Sequence, residues 1–194
     1  MFNIIILGAP GSGKGTQAKL IAEKYNLNHI STGELIREEI ENKTDFGIKI
    51  ERQIAKGEFA SDEEAIDLVL NRIKNYNTKD GFIFDGFPRT LNQAEIFYKL
   101  LTQNDVSIDC VLNLVVSEDL IFDRISNRAK QENRPEDSSK DVIQTRIDIY
   151  NDRTKPVEDF YKKLGNFKEV NGNLEVNNVF EEITNAVDFY FEYN

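Results

Sequence analysis

Several residue types are scarce in this chain of 194 residues, which has no tryptophan, one cysteine, one methionine and one histidine. Because Cys110 is the single cysteine, the chain can form no internal disulfide and has no Cys-x-x-Cys pair for a zinc site. His29 has no cysteine partners and is a poor start for a metal site, so we assign it no chemistry. These absences exclude a disulfide scaffold and argue against a zinc protein.

Long apolar runs are also missing. The first apolar run, Phe2–Leu7, is broken by Gly8 and is too short for a signal peptide. No run approaches the about 20 apolar residues of a membrane-spanning helix. The formal net charge of −10 argues against nucleic acid or an anionic membrane as the main partner, but not against a phosphate, which responds to local charges. We therefore expect a cytoplasmic protein that binds neither nucleic acid nor membrane.

The order of hydrophobic patterns predicts an α/β fold in one domain spanning 1–194. Strand-like runs alternate with helical patterns; the runs are FNIIIL, NHIS, GFIFDGF, CVLNLVV and FKEVNG. Such an order favours parallel strands joined by right-handed crossovers. Two stretches carry more helical or polar sequence than a bare sheet needs, about 31–60 and about 127–137. We expect both to be mobile flaps over a site.

Capping patterns predict where some helices begin. Ser61 followed by Glu64 has the spacing of a capping box. A polar loop is predicted over 133–141, and a long helix from about Val142 to Leu164, bent at Pro156. The amphipathic pattern that closes the chain is predicted to be helical from Val179.

The stretch GAPGSGKGT, Gly8–Thr16, has the composition and context of a phosphate-binding loop, between a buried strand and a helix. Its glycines let the backbone approach phosphates, while backbone N–H groups, the helix N-terminus and Lys14 supply positive charge. The commonest pattern has Ser or Thr directly after the lysine, whereas this chain has Gly15 and then Thr16. We expect Thr16 to face a phosphate or magnesium. A glycine-rich turn without a ligand is the alternative.

Asp85 ends the apolar strand pattern GFIFD, where phosphate-loop enzymes hold magnesium, often through water. An aspartate that merely caps the next turn is the alternative. Arg89 follows Pro88, which restricts the local backbone. Taken alone, Arg89 is consistent with an ordinary surface arginine.

Four further arginines occur close together in the second half of the chain. They are Arg124, Arg128, Arg134 and Arg146. Arg124 and Arg128 are four residues apart and share a helical face. Each could be a solvated surface residue, but together, in an acidic protein with a phosphate loop, they indicate a clamp on a transferring phosphoryl group.

The sequence NKTD at 42–45 spells the guanine-reading motif of GTP-binding switches. In those proteins it follows a later strand, whereas here it lies between two helical patterns. We therefore do not expect a guanine site.

Taken together, these motifs resemble those of the adenylate kinase family, in its short-lid form, along essentially the whole chain. The matching pieces are GAPGSGKGTQA, HISTGELIREEI, GFIFDGFPRTLNQAE, DRISNR and RIDIYNDRTKPVEDFY. In that family a glycine follows the lysine and threonine comes next, which accounts for Gly15. The resemblance implies a three-layer sandwich with a five-stranded parallel sheet, a nucleotide-monophosphate flap at about 31–60 and a lid at about 127–137.

The resemblance also implies the activity, namely reversible transfer of the terminal phosphoryl group of ATP to AMP, with magnesium and without zinc. On the ATP side it implies Gly11, Ser12, Gly13, Lys14, Gly15, Thr16, Arg124, Arg128 and Leu174. On the AMP side it implies Thr32, Arg37, Glu58, Phe59, Ala60, Gly86, Phe87, Pro88, Arg89, Gln93, Arg134 and Arg146. The catalytic set is Lys14, Asp85, Arg89, Arg124, Arg128, Arg134 and Arg146, with Asp85 holding magnesium through water and Thr16 as a further ligand. The family is usually monomeric, and we expect the same here.

This sequence departs from the family pattern in three places. Glu34 stands where the family usually has Asp, and its spacing from Ser31 also fits a capping box. In the lid, Asn133 replaces a glycine and Glu136 replaces an aspartate beside Asp137. The spacing from Arg134 to Arg146 is also one residue longer than usual.

Two other functions remain as alternatives. A kinase for UMP or CMP would share the fold, although GFPRT followed by Gln93 favours AMP. A nucleotide-binding switch without an acceptor site would share the phosphate loop. Two observations argue against the switch. They are the presence of Arg37, Arg89 and Gln93 and the absence of a plausible guanine motif.

Overall fold

The computed structural model describes residues 1–76, 81–132, 137 and 139–193. Within them, five strands form one parallel sheet in the order β2-β3-β1-β4-β5. The strands are β1 (Phe2–Gly8), β2 (Asn28–Ser31), β3 (Gly81–Asp85), β4 (Cys110–Val115) and β5 (Phe167–Asn171). The helices are α1 (Lys14–Tyr25), α2 (Thr32–Glu41), α3 (Asp45–Ala55), α4 (Asp62–Lys74), α5 (Leu91–Thr102), α6 (Glu118–Glu132), α7 (Lys140–Ile149), α8 (Lys155–Leu164) and α9 (Val176–Tyr193). The predicted α/β class with a five-stranded parallel sheet is confirmed.

The sheet is covered on both faces, which explains why its central strand is apolar throughout. Ile4 and Ile6 of β1 join a cluster with α1 and α9, whereas Ile5 and Leu7 join a cluster on the other face with α4, α5 and α8. The alternation follows from the two-residue period of a strand. Fully burying one such side chain contributes about 1.5–3 kcal/mol to folding.

The carboxyl ends of the strands lie along one edge of the sheet, as their register requires. Ile6 of β1 lies beside Asp85 of β3, and Gly8 lies beside Leu114 of β4. In open parallel sheets the crevice at this edge is where ligands bind. The loop after β1, the end of β3 and the connection after β5 are thereby brought together.

Side-chain caps begin several helices. Ser61 and Glu64 form the predicted capping box at α4. Thr44, within the NKTD stretch, caps α3 by accepting a hydrogen bond from the Gly47 N–H at 3.0 Å. The NKTD stretch therefore has a local structural role between α2 and α3.

The α2–α3 region, within the predicted flap, has a small apolar cluster of its own. Ile36, Ile50 and Ala60 are buried there, with Phe46 and Ile54 packed against them. Of the predicted lid, 133–136 lie outside the described residues. No helix in the described ranges has both the length and the apolar character needed to cross a membrane.

The region after the predicted lid differs from the sequence prediction. α7 begins at Lys140, two residues before the predicted start, because the Ser139 hydroxyl accepts a hydrogen bond from the Val142 N–H. The predicted helix does continue to Leu164, but its distortion lies in the turn before Pro156 rather than at the proline itself. The chain forms a wide π-helical turn over Tyr150–Thr154 before α8 begins. α9 likewise begins three residues before the predicted start.

Candidate active site

A cavity of about 540 Å³ opens at the carboxyl edge of the sheet. The loop after β1, the flap helices and α6 and α7 all contribute to its walls. Its lining includes many residues implied by the resemblance, namely Gly11, Ser12, Gly13, Lys14, Gly15, Thr16, Arg37, Glu58, Phe59, Asp85, Gly86, Arg89, Arg124, Arg128, Arg146 and Leu174. Residues far apart in sequence are thus brought to one concave site.

The phosphate loop adopts backbone angles that favour glycine at two positions inside it. Gly11 has φ of 77° and Gly13 has φ of 96°, both in the left-handed region. A side chain at Gly11 would also clash, because a Cβ there would lie 2.7 Å from Ile125 of α6. These glycines therefore allow the loop to curl tightly against α6 and leave its backbone exposed to the cavity.

Lys14 lies at the start of α1 with its ammonium folded into the loop. Its Nζ donates hydrogen bonds to the carbonyl oxygens of Gly8 at 2.7 Å and Ala9 at 2.9 Å. Burial lowers the pKa of Lys14 to about 7; Asp85 opposes this shift, and nearby arginines, Arg89 foremost, add to it. An incoming polyphosphate would favour the charged form of Lys14, so this ammonium is suited to binding one.

Gly15, the unusual residue of the loop, faces the carboxylate at the end of β3. A Cβ on Gly15 would lie 3.5 Å from Asp85 Oδ2, so glycine leaves room between the loop and this carboxylate. His29 Nε2 lies 3.7 Å from the same oxygen. Burial would raise the pKa of Asp85, but the imidazole of His29 and the positive charges of Lys14 and Arg89 hold it below its usual value. Asp85 is therefore a carboxylate at neutral pH.

The donor set suits a magnesium ion that arrives with its nucleotide. No group of three or more His, Cys, Asp or Glu side chains within the described ranges could hold a metal on protein ligands alone. Asp85 borders the space beside Gly15, and Thr16 has an exposed hydroxyl. Both side chains supply oxygen atoms of the kind that Mg²⁺ prefers as ligands. Mg²⁺ usually keeps several waters and takes one or two protein carboxylates in such sites.

Arg89 is held by several contacts on the flap side of the cavity. Its Nε donates to the carbonyl oxygen of Gly86 at 2.6 Å, and its Nη2 donates to the Thr32 hydroxyl at 3.3 Å. The Thr32 hydroxyl in turn donates to the same Gly86 carbonyl at 2.6 Å. A Cβ on Gly86 would lie 2.9 Å from Arg89 Nη2, so a side chain there would displace this guanidinium. The backbone N–H of Arg89 donates to Gln93 Oε1 at 2.7 Å.

A second arginine and an aromatic ring complete this side. A Cβ on Gly33, at the start of α2, would lie 3.4 Å from Arg37 Nη1 and 3.8 Å from Arg89 Nη2. Two guanidinium groups therefore converge on one helix N-terminus, which is a favourable place for a phosphate. The Arg89 guanidinium also lies over the ring of Phe59, 4.9 Å from its centroid.

The arginines on the lid side are held by one buried carboxylate. Arg128 donates to Asp137 through Nε at 2.8 Å and through Nη2 at 3.0 Å. Arg146 Nη1 donates to the same carboxylate, which is almost fully buried. Arg124 Nη1 instead donates to the Ser12 carbonyl of the phosphate loop at 3.2 Å. Arg134 lies outside the described residues.

The candidate adenine contact lies where β5 leads into α9. Leu174 is 39% exposed and Val176 is 48% exposed, and both line the cavity. The Gln17 side chain donates to the Val176 carbonyl at 2.9 Å and thereby ties this connection to α1. An apolar surface of this kind suits a flat base.

Several predicted AMP-side residues lie behind the cavity wall. Thr32, Ala60 and Gln93 line a neighbouring pocket of about 20 Å³. Phe87 is fully buried and packs edge-on against Phe97, with ring centroids 5.0 Å apart. The side chain of Phe87 is therefore part of the core, and only its backbone can take part in a site.

Sequence reasoning missed some residues that contact the site. Asp62 accepts hydrogen bonds from Thr90 at 2.8 Å and from Gln93 at 2.9 Å, and so joins the end of the flap to α5. Glu34 forms an ion pair with Lys19 at 2.8 Å, while Ser31 accepts the Glu34 N–H at 3.4 Å. His29 was assigned no chemistry, although it lies beside Asp85. The Ser31–Glu34 contact has the spacing noted in the sequence, but the sequence offered no signal for the contacts of Asp62, Lys19 and His29, because those partners come from different elements.

Comparisons with known proteins agree with this geometry. The family model of adenylate kinase matches 6–166 of the chain. The adenylate kinase of Bacteroides fragilis is 40% identical over 188 residues, which cover 97% of this chain and 99% of that protein. The adenylate kinase of Azobacteroides pseudotrichonymphae is 41% identical over 191 residues, 98% of this chain and 100% of that protein. The adenylate kinase of Clostridium novyi is 36% identical over 211 aligned positions, 95% of this chain and 98% of that protein.

Proposed function

The chain belongs to the adenylate kinase family, and on that premise we propose the roles of its own residues in the reaction. The enzyme transfers the terminal phosphoryl group of ATP reversibly to AMP, which gives two molecules of ADP. Such a transfer needs little covalent chemistry from the protein, because the work consists of positioning and charge stabilisation. The question for this chain is which groups position each nucleotide.

The ATP phosphates bind on the phosphate loop, from Gly11 to Thr16, with the backbone N–H groups and the N-terminus of α1 facing them. On binding, Lys14 exchanges its two loop carbonyls for phosphate oxygens. Arg124, already hydrogen-bonded to the loop at Ser12, adds positive charge on this side. The base lies against Leu174 in the connection between β5 and α9.

AMP binds between the flap and β3, with its phosphate at the N-terminus of α2. Arg37 and Arg89 converge there and can both reach a phosphate. Two hydrogen bonds support this placement, because the Gly86 carbonyl and the Thr32 hydroxyl hold Arg89 on the cavity side of β3. Glu58 and Phe59 line the cavity on this side, next to the base, whereas Gln93 lies behind the wall and supports the site through its hydrogen bonds to Arg89 and Asp62.

The transferring phosphoryl group passes between these two sites under Arg128 and Arg146, with Arg134 as a third clamp. Mg²⁺ supplies charge neutralisation on the phosphates when it is bound with ATP. The Asp85 carboxylate would hold it through water, and Thr16 would add a hydroxyl oxygen. Closure of the lid over 127–137 and of the flap over 31–60 excludes water, so that AMP rather than water accepts the phosphoryl group.

One observation carries the proposal. Cationic side chains from four separate elements, Lys14 of α1, Arg37 of α2, Arg128 of α6 and Arg146 of α7, line one cavity in an acidic protein. Such a concentration of positive charge suits two nucleotides held with their phosphate groups facing each other. We also propose that the enzyme is a cytoplasmic monomer, since its substrates are small soluble nucleotides.

The test measures ADP formation from MgATP with AMP, UMP and CMP in separate reactions. We expect kcat/KM for AMP to exceed that for either pyrimidine nucleotide by at least about tenfold, which corresponds to about 1.4 kcal/mol of discrimination. ATP without an acceptor is the control. Faster turnover of UMP than of AMP would overturn the acceptor assignment, and ATP binding without acceptor-dependent turnover would favour a switch protein.

A further inference from the structure

Thr154 makes a buried contact to the backbone of Arg89. It is 6% exposed, and its hydroxyl donates a hydrogen bond to the Arg89 carbonyl oxygen at 2.8 Å. Thr154 ends the wide turn between α7 and α8, whereas Arg89 lies between β3 and α5. This contact therefore joins the segment that follows Arg146 directly to the arginine on the AMP side.

The wide turn explains how Thr154 reaches that position. The Lys155 N–H donates to the Tyr150 carbonyl, five residues back, so the turn contains one residue more than an α-helical turn. Pro156, which follows, has no N–H with which to continue the α-helical pattern toward Asp152. The added residue rotates the face of the helix, and such π-helical turns are frequent at functional sites.

The turn is also braced across its length. The Tyr150 hydroxyl donates to Glu158 Oε1 at 2.9 Å, and Glu158 is 7% exposed. This hydrogen bond joins the start of the wide turn to α8. The position of Thr154 is thus supported by a hydrogen bond that spans the wide turn.

Arg89 is held at both ends of its backbone. Its N–H donates to Gln93 Oε1 at 2.7 Å, and its carbonyl accepts from Thr154. With both peptide groups held, the side chain can direct Nε to the Gly86 carbonyl. A misplacement of about 1 Å in a phosphate-binding group can lower turnover by up to about 100-fold.

We propose that Thr154 is a positioning residue for Arg89, so that the wide turn after α7 sets the orientation of the AMP-phosphate arginine. This inference rests on the proposed AMP-side role of Arg89. It assigns Thr154 no contact with a nucleotide. The hydroxyl acts through the Arg89 backbone, and its loss should affect AMP more than ATP.

The test replaces Thr154 with Val, which keeps the size of the side chain and removes the hydroxyl. We expect kcat/KM for AMP to fall about tenfold, the effect of losing roughly one hydrogen bond, while KM for ATP changes less than about twofold. Thr154→Ser keeps the hydroxyl and should restore kcat/KM for AMP to within about twofold of the natural enzyme.

Thr184→Val is the matched control. Thr184 is 7% exposed and donates to a backbone carbonyl, that of Glu181, at 3.0 Å within α9, and is placed in neither nucleotide site. We expect this variant to lose some thermal stability and to keep its AMP kinetics. Three results would each overturn the inference. They are equal losses of kcat/KM for AMP and for ATP in Thr154→Val, equal kinetics of Thr154→Val and Thr184→Val, and no recovery of kcat/KM for AMP in Thr154→Ser.

A binding measurement separates this inference from the proposed function. Calorimetric titration of AMP alone into the natural protein and into Thr154→Val needs no turnover. Weaker AMP binding by the Val variant and not by the Ser variant supports the positioning role. Unchanged AMP affinity together with unchanged turnover contradicts that role, whereas absence of AMP-dependent turnover in the natural protein contradicts the proposed function.

Discussion

The arginines on the two sides of the cavity are held in different ways. On the AMP side, Arg89 contacts the carbonyl of Gly86, the hydroxyl of Thr32 and the ring of Phe59. On the lid side, Arg128 and Arg146 share the buried carboxylate of Asp137. A carbonyl or hydroxyl orients a guanidinium and leaves its positive charge in place. A carboxylate orients the guanidinium and also offsets its charge. The lid-side arginines must therefore exchange Asp137 for phosphates, whereas the neutral groups on the AMP side can stay in contact with Arg89 when a phosphate binds.

The largest expected effect comes from removing Arg89. Arg89→Ala should lower kcat/KM for AMP by about 100- to 1000-fold, the usual cost of losing one preorganised donor to a reacting group. Steady-state assays with AMP and ATP varied separately measure this loss, and a thermal melt checks that the fold is intact. Activity close to that of the natural enzyme would mean that the AMP site is misplaced.

A second variant tests the carboxylate on the lid side. Asp137→Asn keeps the shape of the side chain but removes the negative charge that Arg128 and Arg146 share. We expect the free energy of unfolding of the ligand-free protein to fall by about 1–3 kcal/mol. Thermal melts of both proteins with and without ATP provide the measurement.

The nucleotide should stabilise this variant more than it stabilises the natural protein, because phosphates then supply the missing negative charge. Equal stabilisation of both proteins by ATP would show that Asp137 and the phosphates do not compete for the same arginines. That result would remove the proposed difference between the two sides.

A smaller effect is expected from the aromatic contact to Arg89. Phe59→Leu keeps an apolar side chain but removes the ring, and a partly exposed cation–π contact contributes about 0.5–1 kcal/mol. We therefore expect KM for AMP to rise about two- to fivefold while KM for ATP stays the same. Leu164→Ala, a change at an exposed residue at the end of α8, is a suitable control. An unchanged KM for AMP would show that Phe59 has no part in orienting Arg89.

The smallest expected signal is a proton taken up by Lys14. Its pKa is lowered to about 7 in the ligand-free enzyme, so at about pH 8 Lys14 is neutral in most molecules. Bound phosphates favour the ammonium and raise the pKa, and ATP binding should then take up a fraction of one proton. Calorimetry of ATP binding in buffers of different ionisation enthalpy measures it.

The lowered pKa of Lys14 also makes the stability of the ligand-free protein depend on pH. The pKa of Lys14 is lower in the folded than in the unfolded chain, so the unfolded chain binds more protons between about pH 7 and 10.5. The contribution of Lys14 to the free energy of unfolding of the ligand-free protein therefore increases as pH rises through that range. Lys14→Met should abolish both the proton uptake and this contribution. Unchanged proton uptake in Lys14→Met would assign the proton to another group.

Much of the fold could be read from local patterns. A helix follows the phosphate loop as predicted, and the predicted capping box of Ser61 and Glu64 is present at α4. Such signals act over three or four residues, within one element, and so are visible in the sequence. The wide turn over Tyr150–Thr154 was not predicted, because Pro156 indicates a distorted helix but not the π-helical form of the turn before it.

The sequence by itself determined the types of groups at the site. Glycines at positions 11 and 13, Lys14 and the arginines predicted a phosphate ligand, because that combination of backbone freedom and positive charge suits phosphates. Only the tertiary structure decided which groups hold those side chains. Thr154 and Arg89 are 65 positions apart, and Asp137 joins two helices. Such pairings depend on how helices and strands pack around the sheet, and no pattern within a few residues encodes that packing.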